Sequence, residues 1–78
     1  MKPFIEILGW YGAIAILAAY ALVSFGELSP QSLWYHILNG TGALAIATHA
    51  FVKKDYQPAL LNVIWMLIAL FALAAIAF

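Results

Sequence analysis

Three apolar runs of about 22 residues each fill this chain, parted by two short polar breaks. The runs are Pro3–Ser24, Pro30–Val52 and Gln57–Phe78. A helix needs about 20 residues to span the hydrocarbon core of a bilayer. A segment in lipid must satisfy its own backbone hydrogen bonds, which leaves helices and closed barrels. Runs of Ala and Leu lack the alternation of a barrel strand. The spacing therefore predicts an all-α, polytopic membrane protein: one domain over 1–78, built as a bundle of three transmembrane helices at about 3–24, 30–52 and 57–78.

Composition excludes the soluble alternative. The 78 residues are 68% hydrophobic and 8% charged, against roughly half and a quarter in ordinary soluble domains. A soluble domain this small keeps much of its surface in water. Three acids and three bases cannot cover that surface, and large exposed apolar patches invite association. The absence of cysteine rules out disulfides and thiolate chemistry. With zero formal net charge and no basic tract, nucleic acid is not an expected partner.

The breaks carry helix punctuation. Ser29 reads as the N-cap of helix two, with Pro30 at the first helical position. Asp55 reads as the cap of helix three, with Pro58 in its first turn, where proline is tolerated. Short connections imply antiparallel neighbours. The first run resembles a signal peptide in its basic start and its Ala19-Tyr20-Ala21 triplet, but it is long and carries Glu6. It is read as a retained helix.

The lysines divide completely. Lys2, Lys53 and Lys54 fall at one end of a three-span bundle, and the other end has no Lys or Arg. The positive-inside rule then puts the N-terminus in the cytoplasm and Phe78 outside. The expected location is a bacterial inner membrane.

Helix two is the polar one. His36, Asn39, Gly40, Ala43, Ala47 and Ala50 recur at helical spacing on one stripe. Two readings stay open for it: a helix-packing seam of small residues, or the wall of a cavity in which His36 and Asn39 meet a polar ligand. Gly9 and Gly12, with Ala13, give helix one a close-packing face. Glu6, His49 and Asn62 are expected at similar depth near the lysine end. Glu6 there pairs with Lys53 or Lys54, or with the His49 imidazole. A Glu/His metal site lacks a spacing motif, and no metal or other cofactor is expected. Asn62 is the polar exception in helix three, either a structural hydrogen bond or a ligand contact. Phe4, Trp10, Tyr11, Phe25, Trp34, Tyr35, Phe51 and Tyr56 fit interfacial belts. No nucleophile–base–acid set or phosphate loop is present, so an enzyme is not expected.

Lys54-Asp55, then Pro58, then Asn62 together resemble the second half of the SemiSWEET/PQ-loop three-helix unit. The chain looks closest to small bacterial three-helix membrane proteins of that type, with the same Ile-Leu-Gly-Trp opening and Lys-Asp-Tyr turn. The resemblance implies a homodimeric transporter of a small polar solute and a pocket-lining role for Asn62. Helix one here lacks the internal Pro-Gln hinge of that family, and Ile46 stands near the place of its pocket tryptophan. Three short helices cannot enclose a pathway alone, so the polar stripe of helix two is expected to be covered by another protein. That cover is a second copy in a symmetric dimer or, for an accessory subunit, another membrane protein.

Overall fold

A computed structural model describes residues 2–78 and is all-helical. Helix α1 is Lys2–Ser24, α2 is Leu33–Val52 and α3 is Tyr56–Ala77. The molecule measures 34 × 24 × 19 Å, and its long dimension matches a hydrocarbon core of about 30 Å.

Helix two starts three residues later than the sequence predicts. Ser29 and Pro30 do not open it. They form a turn in which the Ser32 N–H donates to the Ser29 carbonyl at 2.9 Å, with proline at the turn position that suits its fixed φ. The Ser29 hydroxyl is used inside this turn, accepting from the Gln31 N–H at 3.1 Å. Ser32 is the N-cap, its hydroxyl accepting from the Tyr35 N–H at 3.1 Å. Asp55 does sit at the N-cap of α3, but its carboxylate makes no capping hydrogen bond.

Both connections are closed by the same device. Gly26 has φ 77°, and the N–H groups of Gly26 and Glu27 donate to the carbonyls of Val23 and Leu22. Lys54 has φ 60°, and the N–H groups of Lys54 and Asp55 donate to Phe51 and Ala50. These are paired 5→2 and 6→1 bonds around a left-handed residue, the Schellman arrangement.

Helix α2 packs against both neighbours, while α1 and α3 do not meet. The closest approach is between α1 and α2. A Cβ placed on Gly12 would lie 2.6 Å from the Gly42 carbonyl oxygen, so the backbones touch there. On its other side Gly40 faces Ala69 of α3, whose Cβ would be 3.3 Å from one placed on the glycine. Gly40 and Gly42 are about 200° apart around the helix. One glycine therefore serves each neighbour.

The packing is inverted relative to a water-soluble bundle. The buried set is almost entirely alanine, from Ala15 and Ala19 through Ala43, Ala45, Ala47 and Ala50 to Ala59 and Ala69, and no large side chain is fully buried. Large apolar residues face out, Leu17 at 67% and Phe71 at 79% exposure. Two helices, α1 over Pro3–Ser24 and α3, are long and apolar enough to cross a membrane. Helix α2, shorter than expected and diluted by its polar residues, does not pass that test by itself.

Candidate functional site

The polar stripe of α2 faces α3 of its own chain. Gly40 abuts Ala69, and Ala43, Ala47 and Ala50 are buried. Its residues are small enough for α3 to lie close against them, as Ala69 does at Gly40. Small residues thus explain the packing seam, and the polar pair at its loop-one end defines a cavity.

That cavity lies between α2 and α3, lined by Tyr35, His36, Asn39, Trp65, Ile68 and Ala69, with a volume of about 180 Å³. The Tyr35 and His36 rings meet edge-on at 5.1 Å. Asn39 is 7% exposed, the one buried polar residue in the core. Its carboxamide makes no hydrogen bond among the described residues. It is not sealed off either, because no fully buried side-chain polar atom lacks a partner. The carboxamide therefore opens into the cleft. Its amide N–H groups and oxygen are left to bond whatever enters.

A second cleft opens between α1 and α2 at the lysine end. Glu6, Gly9, Trp10, Ala13, Ile46 and His49 line about 370 Å³. The Lys53 ammonium donates to Glu6 Oε1 at 2.8 Å, and His49 Nε2 lies 3.5 Å from the same oxygen. Both pairings expected of Glu6 thus occur together, on Lys53 rather than Lys54. The His49 ring lies over Gly9, where any Cβ would meet it at 2.8 Å. His36 and His49 flank Asn39 about 140° apart around α2, one towards each cleft.

Asn62 is not part of either cleft. Its Nδ2 donates to the Pro58 carbonyl at 2.8 Å. Proline two residues inside α3 presents a carbonyl at the first turn, and Asn62 one turn later satisfies its own amide on it. Thr41 and Thr48 likewise donate back to Ile37 and Leu44, the usual behaviour of hydroxyls in apolar helices. Thr41 also meets the Tyr11 hydroxyl at 2.7 Å, tying α1 to α2 on the face away from the clefts. Sequence reasoning missed three participants: Gly42, Trp65 and the Tyr11–Thr41 pair. Gly42 had a signal, since glycines two apart in a helix cannot serve the same neighbour. Nothing in the sequence pointed Trp65 at Asn39. Among the described residues, no three His, Asp or Glu side chains gather as a metal ion requires.

A three-helix chain with an alanine core and an apolar exterior defines the class, a small α-helical bundle with two membrane-crossing candidates. A family model matches residues 5–78, so nearly the whole chain, and the protein belongs to that uncharacterised family. No curated protein and no solved structure matches the chain.

Proposed function

We infer that the protein crosses a bacterial inner membrane three times, N-terminus in the cytoplasm, and binds a small polar solute at the cleft beneath Asn39 as a SemiSWEET-like two-fold dimer. The observation that carries this reading is Asn39 itself: a residue 7% exposed whose carboxamide bonds no other side chain and opens to a cavity beside His36 and Trp65. A polar group at that depth in lipid is expensive unless it meets water, protein or ligand. The inverted packing supports the membrane setting, and α1 and α3 carry α2 between them. Dimerisation is supported by shape. Helices α1 and α3 leave a gap over α2, and a copy placed against the cleft at His36 and Asn39 closes a polar chamber there.

Thiol accessibility tests the cleft, because the chain has no cysteine of its own. Asn39→Cys in native membranes is expected to react with a small, charged, membrane-impermeant thiol reagent. Leu44→Cys, on the outward face of α2, is expected to stay unreacted. Equal silence at both positions would remove the water-filled cleft and the solute reading with it. The mass in detergent is expected to be that of two chains.

An accessory subunit that grips another membrane protein through α2 is the second reading. The small-residue stripe is occupied by α3, so this role falls to the outward face of Leu33, Trp34, Thr41, Leu44 and Phe51. The exposed Tyr11–Thr41 hydroxyl pair on that face favours it. A single-chain mass in detergent, with loss of the protein when expressed alone, would select it.

A further inference from the structure

The lysine-end cleft has the features of a lipid site, and this inference rests on the membrane reading above. Its walls are mostly apolar: Ala13 and Trp10 on α1 and Ile46 on α2. Glu6 and His49 are its polar lining, and Lys53, half-exposed like Glu6, reaches the Glu6 carboxylate from beside it. The ion pair leaves capacity on both partners. Glu6 Oε1 takes both Lys53 and His49. An ionised carboxylate offers about four acceptor sites, and an ammonium carries three N–H donors of which Lys53 spends one on Glu6. Trp10 is 69% exposed, and an indole face attracts a cation.

We propose that this cleft binds one phosphatidylethanolamine molecule. One acyl chain lies along Ala13 and Ile46; the ammonium sits between the Glu6 carboxylate and the Trp10 face; the phosphate takes the remaining N–H groups of Lys53. The charge pattern selects this headgroup. A purely anionic headgroup brings no cation to Glu6 and is repelled by it. A choline headgroup carries the cation but has no N–H to donate to the carboxylate. A primary ammonium next to a phosphate matches both partners at once. The depth fits as well, since Glu6 lies about 6 Å along α1 from Lys2, where headgroups meet acyl chains.

Trp10 reports directly on occupancy. The full chain carrying Trp34→Phe and Trp65→Phe keeps Trp10 as its only tryptophan. It is reconstituted in phosphatidylcholine vesicles with the same minor fraction of brominated phosphatidylethanolamine, phosphatidylcholine or phosphatidylglycerol. Binding predicts apparent affinity for the ethanolamine lipid at least about threefold above that for the other two. Glu6→Gln in this background is expected to bring the ethanolamine lipid down to the level of the choline lipid. Ala13→Leu, on an exposed position, fills the cleft and is expected to remove the preference for the ethanolamine lipid without loss of helicity. Equal quenching by the three lipids, or a preference that survives either substitution, overturns the proposal. Quenching by none of them overturns the membrane reading itself, and the lipid site falls with it.

Discussion

Gly12 and Gly42 carry the α1–α2 crossing by having nothing to carry. A Cβ on Gly12 meets a backbone oxygen at 2.6 Å and the Ile46 side chain at 2.5 Å. A carbonyl cannot rotate away as a side chain tip can, so the helices must part. Gly12→Ala is expected to cost about 1–3 kcal/mol, the range for overpacking a tight contact. Gly42→Ala meets the Gly12 oxygen at 3.0 Å and Ile16 Cγ1 at 2.9 Å, and ranks second. Gly40→Ala meets only the Ala69 methyl at 3.3 Å. The better helix propensity of alanine, about 1 kcal/mol, offsets that contact, and the net change is expected to be near zero. Thermal melts of helicity in one detergent rank the three; Gly40→Ala costing most would refute the crossing. At this scale the sequence was half legible. Gly9, Gly12 and Gly40 were readable as packing residues because small residues in lipid-facing helices have few other uses. Which neighbour each one faces was not, because that depends on the rotation of α2, set by contacts along its whole length.

The helices themselves were legible to within three residues, and the one real slip has a local cause. Ser29-Pro30 and Ser32 both satisfy the grammar of a helix start. What decides between them is that Ser29 folds back over Gln31, which uses the cap before the helix begins. Ser32→Ala is therefore expected to cost about 1 kcal/mol, a normal N-cap loss. Asp55→Ala, which removes a carboxylate that caps nothing, is expected to cost a few tenths at most. The α2–α3 turn holds a second prediction. Lys54 occupies left-handed backbone, φ 60°, a conformation that costs a non-glycine residue about 1 kcal/mol. Lys54→Gly removes that strain and should raise the melting temperature. Gly26→Ala at φ 77° imposes the same strain and should lower it, although nothing lies within 4 Å of the new methyl. A fall for Lys54→Gly would mean that the lysine side chain contributes more than its backbone costs.

At the scale of the whole molecule, the decisive fact is where the large side chains are. Leucines, isoleucines and phenylalanines cover the outside, and alanines fill the inside, an order that lipid favours and water penalises. Hydropathy made this legible from the outset, because a chain with so few charges has no polar coat to wear. What hydropathy left out was the rotation of α2, which turns Gly40 and Asn39 towards α3. The proposed orientation rests on charge. The Glu6–Lys53 contact brings the start of α1 and the end of α2 to one end of the bundle, so Lys2, Lys53 and Lys54 share a side, and the Phe25–Ser32 connection lies at the other. Single cysteines at Asp55 and at Glu27 read this out in intact cells. Glu27→Cys is expected to react with an impermeant reagent from outside, and Asp55→Cys only after the membrane is opened. Moving the charge should move the protein: Lys53→Gln and Lys54→Gln combined with Glu27→Lys and Gln31→Lys place more positive residues at the Phe25–Ser32 connection than at the other end. With cysteines placed at Gly26 and Asp55 in that background, the labelling pattern is expected to invert. If the order of reactivity stays fixed while the lysines change ends, the insertion direction is set by something other than the charges, and the cytoplasmic assignment of the N-terminus fails.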